Sequence, residues 1–163
     1  MIPELLEKSD DCNTLSKIIA CISDIECSEF FSDHIGKSNS DQRIIVTEFQ
    51  KLIAFALDVS IPDIDWKMEH CPNNQTKDSI DVFGEGDGFV VVIELYKNRA
   101  DQVAKKFVSR MAMLSSTDVY FISLCYPGTD RMNKPECAKY FGYCSTLARR
   151  MNNHYAGFII GKR

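Results

Sequence analysis

The stretch of sequence that decides the fold reads SIDVFGEGDGFVVVIELY and covers residues 79–96. A short run at 79–83 leads into a glycine-rich segment at 84–88, and a second run returns over 89–96. Two such runs joined by glycines are typical of a β-hairpin. Because the returning run is almost wholly apolar, we expect a central strand that is covered on both faces.

Helix and strand patterns alternate on both sides of this hairpin. The predicted helices cover 15–25, 30–35, 41–58, 98–114 and 135–151, and the further strands cover 64–71, 119–126 and 155–160. This order predicts an α/β fold with a mixed central sheet flanked by helices. We expect one domain over 1–163, with a helical N-terminal extension at 1–37, a core at 41–126, and a helix and strand at 127–163.

The composition favours a cytoplasmic protein. Seven cysteines are scattered without a C-x-x-C pair, which is typical of reduced thiols. The first eleven residues are too charged for a secretory signal, and the longest apolar run, 89–93, is too short to span a bilayer. A zinc site at His70 and Cys71 is disfavoured, because adjacent residues of a strand point to opposite faces.

Charge is divided unevenly along the chain. Residues 1–94 carry 7 basic and 19 acidic side chains, whereas residues 95–163 carry 12 basic and 4 acidic side chains. The net charge of −4 therefore hides a C-terminal part with a balance of +8. This excess predicts an anionic partner for the C-terminal part, although solvated charges that are merely unevenly placed would give the same count.

Two acids of the hairpin, Asp81 and Glu94, are the candidate metal ligands. If the turn sets Phe83 beside Val90, then Asp81 lies opposite Val92 and one diagonal step from Glu94 on the same face. Such neighbours are about 7–8 Å apart, so that two carboxylates can close on one cation. Hard oxygen ligands predict Mg²⁺ or Mn²⁺.

Glu94 also has a purely structural interpretation. It ends an otherwise apolar strand, where an unpaired carboxylate would be costly to bury. A partner such as Arg110, or emergence of the strand end into water, would explain Glu94 without any metal.

At this point the sequence resembles the PD-(D/E)xK nuclease superfamily. In that family an acid on one hairpin strand precedes a (D/E)-x-K signature on the next strand, and a helix follows. The matching residues here are Ile80-Asp81, then Glu94-Leu95-Tyr96-Lys97, then the helix from Arg99 to Met111, within a similarity that covers about 44–125. The resemblance implies a restriction-endonuclease-like core of order α-β-β-β-α-β.

The resemblance implies phosphodiester hydrolysis by a Mg²⁺-dependent endonuclease or exonuclease, with Asp81 and Glu94 as ligands. It assigns Lys97 as the catalytic lysine, which orients or deprotonates the attacking water. The preceding helix often supplies a further acid, here Glu48. The helical neighbours of Glu48, Ile44 and Leu52, independently suggest that it lies off the fully solvated face.

The chain departs from this pattern at Tyr96, which takes the place on the Glu94 face where a lysine is expected. Lys97 should point to the other face unless the strand ends or bulges after Leu95. A lysine from a helix, Lys51 or Lys106, is the other way to supply the charge.

The helix after the hairpin carries the candidate nucleic-acid contacts. In the fold that the resemblance implies, this helix lies near the substrate groove, and its polar side is basic. The predicted contacts are Arg99, Gln102, Lys105, Lys106 and Arg110. A run of solvated helix charges is the alternative.

These observations predict a metal-dependent nuclease that acts on nucleic acid, with DNA expected before RNA. The alternative is a catalytically inactive module that keeps the nuclease fold and binds nucleic acid or protein, and Tyr96 is its best support. No membrane partner is expected, and the sequence leaves a homo-oligomer open.

Overall fold

The computed structural model describes residues 1–129 and 131–161. Its elements are β1 (Pro3–Lys8), α1 (Asn13–Ser23), α2 (Ser28–Phe31), α3 (Asn39–Ser60), β2 (Asp65–His70), β3 (Ile80–Glu85), β4 (Phe89–Tyr96), α4 (Asp101–Met113), β5 (Asp118–Cys125), α5 (Lys134–Arg150) and β6 (His154–Ile160). The six strands form one sheet in the order β1-β6-β5-β4-β3-β2. The predicted α/β class, with a mixed sheet flanked by helices, is confirmed.

The sheet is parallel at its centre and antiparallel towards both edges. β4 pairs with β5 and β5 with β6 in parallel register, while β3, β2 and β1 add antiparallel strands. The connections between the parallel strands run through α4 and α5, because parallel neighbours need a crossover segment, which is usually a helix. No helix within 1–129 and 131–161 is long and apolar enough to cross a membrane.

Each face of the sheet has its own hydrophobic core. On β4, the side chains of Val91, Ile93 and Leu95 pack beneath α1, α2 and α3. The alternate side chains Val92 and Tyr96 pack on the other face against α4 and α5. Burial on both faces explains why the β4 run is apolar throughout. It also puts Glu94 on the α4 face, between Val92 and Tyr96.

The register of the hairpin differs from the one expected. Glu85 pairs with Val90, so that the strands extend two residues further and turn through Asp87 and Gly88 alone. Gly88 has φ of +79°, which suits glycine in such a tight turn. Continued one residue beyond its last pair, Val82–Ile93, this register sets Asp81 level with Glu94 rather than one diagonal step away.

Gly84 belongs to the strand and not to the turn, because the Trp66 ring covers it. A Cβ on Gly84 would lie 2.7 Å from Cζ3 of Trp66 and 2.8 Å from Cγ2 of Ile64. We expect Gly84→Ala to lower the free energy of unfolding by about 1–3 kcal/mol, since the ring must be displaced. Urea denaturation would measure this loss.

Gly142 is the matched control for Gly84. It lies in α5 with no heavy atom within 4 Å of the position that a Cβ would take. Gly142→Ala should raise stability by about 0.5–1 kcal/mol, because alanine is the better helix former. Equal effects at both glycines would contradict the role given to Trp66.

The N-terminal extension is not only helical, since it begins with a strand. β1 pairs with β6 at the edge of the sheet, and its register shifts between Leu5 and Glu7. The shift breaks the alternation of apolar and polar side chains, and the charges typical of edge strands hide the rest of the pattern. Pairing with β6 was therefore invisible in the local sequence.

Candidate functional site

β3 and β4 separate just beyond the Val82–Ile93 pair, and Asp81 fills the gap between them. Its Oδ2 accepts a hydrogen bond from the Leu95 backbone N–H at 2.7 Å. Its Oδ1 accepts a second bond from Nε2 of Gln50 on α3 at 3.1 Å. Both carboxylate oxygens are thus held in place, while 16% of the side chain stays exposed.

Glu94 has no exposed surface and depends on two cations from α4. Nε of Arg110 donates to its Oε1 at 2.7 Å, and Nζ of Lys106 donates to its Oε2 at 2.6 Å. The Arg110 guanidinium is itself anchored, because its Nη2 donates to the Ser79 carbonyl at 3.0 Å. The pairing with Arg110 that the sequence allowed is therefore present, and it offsets the cost of burying the carboxylate.

Lys106 stands at the centre of the cluster. Its Nζ lies 3.5 Å from Oδ2 of Asp81 and donates to the Leu95 carbonyl at 3.5 Å, in addition to its bond with Glu94. It also lies 5.2 Å from the centre of the Tyr96 ring. The ammonium therefore occupies a point where three oxygens from β3 and β4 converge. The Lys106 side chain as a whole is 32% exposed, whereas the Glu94 side chain has no exposed surface.

Burial and charge oppose each other in this cluster. Burial raises the pKa of Glu94 to about 7, against the opposite pull of Lys106, and the Asp81 charge adds to the rise. Burial also disfavours the charge on Lys106, but Asp81 and Glu94 outweigh it and raise the Lys106 pKa. Lys106 is therefore a stable cation next to a carboxyl group that titrates near neutral pH.

The raised pKa predicts a pH-dependent contribution of Glu94 to stability. The unfolded chain releases this proton near the ordinary value of 4.5, while the folded chain keeps it up to about 7. Glu94 therefore contributes fully to the free energy of unfolding below pH 4.5. This contribution falls by about 3 kcal/mol as the pH rises from 4.5 to about 7. Urea unfolding at several pH values would measure this contribution for the natural chain and for Glu94→Gln. The difference between their free energies of unfolding should change only between pH 4.5 and about 7. A difference independent of pH would contradict the raised pKa.

Two residues of the predicted catalytic set lie apart from this cluster. Glu48 is 53% exposed and pairs with Lys51, so the expectation that it lies off the solvated face is wrong. The reason is that its neighbour Ile44 is itself exposed. Lys97 follows the end of β4 and lines a cleft with Gln50 and other α3 residues. Among the described residues Lys97 forms no ion pair with Asp81 or Glu94.

The predicted nucleic-acid contacts on α4 divide into two groups. Lys105 is exposed, Gln102 is half-buried, and Arg99 is exposed but pairs with Asp101 at 2.7 Å. Lys106 and Arg110 instead point into the acidic cluster, and Arg110 is buried. The expectation that Arg110 belongs to a solvated, phosphate-facing side of the helix is therefore wrong, because Glu94 draws it inwards.

Gln50 is the site residue that sequence reasoning missed. It is buried, and it shares the inner side of α3 with Phe49, Ile53 and Leu57. A polar side chain on the apolar stripe of a helix was the available signal, since a buried amide needs partners. Glu48, two residues earlier, lies on the opposite side of the same helix.

The cluster has the oxygen donors for a divalent cation. Asp81 Oδ2, Glu94 Oε2 and the Leu95 carbonyl are hard ligands of the kind that Mg²⁺ and Mn²⁺ prefer. They already surround one positive charge, the Lys106 ammonium. A metal ion could enter only after Lys106 moves aside, while Arg110 would keep Glu94 oriented through its other oxygen.

Four of the predicted site residues thus form one charge-balanced cluster, namely Asp81, Glu94, Lys106 and Arg110. Comparisons of the chain with protein-family models, with curated proteins and with solved structures find no match. What the cluster can do is therefore inferred from its own geometry.

Proposed function

We propose that the chain is a metal-dependent nuclease that hydrolyses phosphodiester bonds of nucleic acid on a restriction-endonuclease-like core. The observation that carries the proposal is the position of the Lys106 ammonium, between the Asp81 and Glu94 carboxylates and beside the Leu95 carbonyl. A catalytic lysine must reach the same small volume as the ligand oxygens. Lys106 meets this requirement from α4, in place of a lysine from β4.

Tyr96 explains why the lysine comes from α4 and not from β4. It follows Glu94 by two residues on the same face, where the motif would place its lysine. The Tyr96 side chain is buried, and the Lys106 ammonium lies over its ring at 5.2 Å from the ring centre, a distance typical of a cation–π contact. The positive charge of the motif is therefore restored at a different position in the chain.

A Mg²⁺ or Mn²⁺ ion, when bound, would supply the positive charge that polarises a phosphate and lowers the pKa of a bound water. Asp81 and Glu94 would hold the ion, with Gln50 and Arg110 orienting their carboxylates. Lys106, once moved from the ligand oxygens, would remain within reach of the attacking water. Its exposed fraction gives the side chain room for this movement.

A cleft beside the cluster is suited to a phosphate backbone. It has a volume of about 330 Å³ and is lined by Arg43, Thr47, Gln50, Lys97 and Tyr126, with Glu69 and three other α3 residues. Gln50 connects the cleft directly to Asp81. Arg43 and Lys97 thus provide positive charge where a bound strand would approach the metal ligands.

The test is cleavage by the natural chain with Mg²⁺ or Mn²⁺. Supercoiled plasmid, linear duplex, single-stranded DNA and RNA would separate endonuclease from exonuclease action and DNA from RNA. We expect Asp81→Asn to lower the cleavage rate by about 10³-fold or more, because it removes a metal ligand. Glu48→Gln, an exposed acid of α3, is the matched control and should retain the rate. Cleavage that survives Asp81→Asn would refute the proposed site.

The second candidate is a catalytically inactive module of the same fold. Its support is the charge balance of the cluster, in which Lys106 and Arg110 already satisfy Glu94, and Gln50 and Leu95 satisfy Asp81. Such a module needs no metal. It would bind nucleic acid, protein or a second copy, with no cleavage and no rise of the melting temperature in Mg²⁺ or Mn²⁺. The seven free thiols of the chain fit a cytoplasmic location under either proposed function.

A further inference from the structure

A second group of potential metal ligands lies at the other end of the sheet. Asp10 and Cys12 come from the segment between β1 and α1, and His154 begins β6. His154 Nδ1 lies 2.8 Å from Asp10 Oδ2 and 3.6 Å from Cys12 Sγ. One donor atom from each residue falls within 4.8 Å of the other two. Three different ligand types from two elements therefore face one point.

These distances suit a tetrahedral zinc centre. Zn–S and Zn–N bonds of about 2.3 and 2.0 Å at the tetrahedral angle separate sulfur and nitrogen by about 3.5 Å. The observed separation of Cys12 Sγ and His154 Nδ1 is 3.6 Å. The shorter contact between His154 and Asp10 is a hydrogen bond whose proton a metal would replace. Thiolate and imidazole donors favour Zn²⁺ over Mg²⁺.

The same geometry argues against a Cys-His-Asp nucleophile. In a relay of that kind the nucleophile and the acid bind opposite nitrogens of the imidazole ring. Here Cys12 and Asp10 both approach Nδ1 of His154. Convergence on one nitrogen is expected when all three residues share a common central atom.

The ligands are held in place by their surroundings. Asp10 Oδ1 accepts a bond from the Cys12 backbone N–H at 2.9 Å, and Ser9 Oγ donates to Oδ2 at 2.8 Å. The His154 ring stacks on Tyr120, with the ring centres 4.3 Å apart. Because the three side chains are already held in position, metal binding would cost little further conformational entropy.

We propose that Asp10, Cys12 and His154 bind one Zn²⁺ ion, with water as the fourth ligand. Asp10 and His154 are partly exposed, which leaves room for that water. The ion would tie the segment after β1 to the start of β6 and so fasten the edge of the sheet. This site is independent of Asp81 and Glu94, which lie at the carboxyl end of the parallel strands, whereas His154 pairs with Tyr120 near their amino end.

The test uses the metal-stripped full chain titrated with Co²⁺, whose thiolate complexes absorb in the near ultraviolet. We expect one equivalent of Co²⁺ to give this band and Zn²⁺ to abolish it by displacement, while excess Mg²⁺ leaves it unchanged. Saturating Zn²⁺ should raise the melting temperature by about 5–10 °C. Absence of the band in the natural chain would overturn the proposal.

Variants locate the site. Cys12→Ser should abolish the Co²⁺ band, and Asp10→Asn should weaken Zn²⁺ binding about tenfold or more. Cys71→Ser, which removes an exposed thiol beside His70, is the matched control and should bind normally. If Cys12→Ser does not fold, alkylation of the natural chain decides the question: Zn²⁺ should protect Cys12 and not Cys71. Equal alkylation of both thiols with and without Zn²⁺ would overturn the proposal.

Discussion

Lys106→Met is expected to lower metal-dependent cleavage by about 10²–10³-fold, the range for loss of one donor that stabilises the charge developing in the transition state. Methionine keeps an apolar stem over the Tyr96 ring but removes the ammonium that lies between Asp81 and Glu94. The rate at saturating metal is the quantity to measure, because Lys106 and the metal compete for the same oxygens. Because the ammonium no longer competes for these oxygens, this variant should also bind the metal ion more tightly.

Lys97→Met is the matched control for Lys106→Met. Lys97 is the catalytic lysine that the resemblance implies, yet it lies in the cleft beside Gln50 and forms no ion pair with Asp81 or Glu94 in the described residues. We expect its loss to weaken substrate binding most at low salt, to reduce the salt dependence of binding, and to leave the rate at saturating substrate nearly unchanged. If Lys97→Met abolishes cleavage and Lys106→Met does not, Lys97 is the catalytic lysine and Lys106 only neutralises the two acids.

Arg110→Met is expected to have the largest effect on stability. Arg110 is buried and donates to Glu94, which has no exposed surface, so its removal leaves a carboxylate with one cation instead of two. Breaking a buried ion pair from one side costs about 3–5 kcal/mol. Urea unfolding above pH 7, where Glu94 is ionised, would measure this loss.

The control for Arg110→Met is Arg99→Met. Arg99 also pairs with an acid, Asp101, but its side chain is 55% exposed, and surface pairs contribute about 1 kcal/mol or less. Adding Glu94→Gln to Arg110→Met should restore part of the lost stability, since no charge then remains buried without its partner. Equal losses for Arg110→Met and Arg99→Met would contradict the role given to Arg110.

The functional alternatives differ in what Lys106 does. In a nuclease its ammonium would occupy the metal position until an ion binds and would then orient the attacking water by donating a hydrogen bond. In an inactive module it remains an internal counter-ion of Asp81 and Glu94. Measurements of metal binding and of cleavage on the natural chain and on Lys106→Met distinguish the two alternatives. Only in a nuclease should the substitution change both.

The sequence by itself determined the class of the fold and the main candidate pair. Alternating and continuous apolar runs depend on local periodicity, so the hairpin, the covered strand β4 and the helices on both faces could be predicted. Glu94 could be singled out for the same reason, because it is a charge in a run that otherwise buries itself, and Asp81 because the hairpin sets it near Glu94. Their sharing of one face followed from the period of two along a strand.

Only the tertiary structure decided which residues complete the site. Gln50, Lys106 and Arg110 reach Asp81 and Glu94 from helices that are distant in sequence, and no local period encodes which turn of a helix faces a given strand residue. Gly84 lies within β3 beneath Trp66 of β2, a contact between strands that the hairpin sequence does not show. Asp10, Cys12 and His154 likewise meet only because β1 pairs with β6. Contacts between elements, unlike periodicity within them, are set by packing of the whole chain.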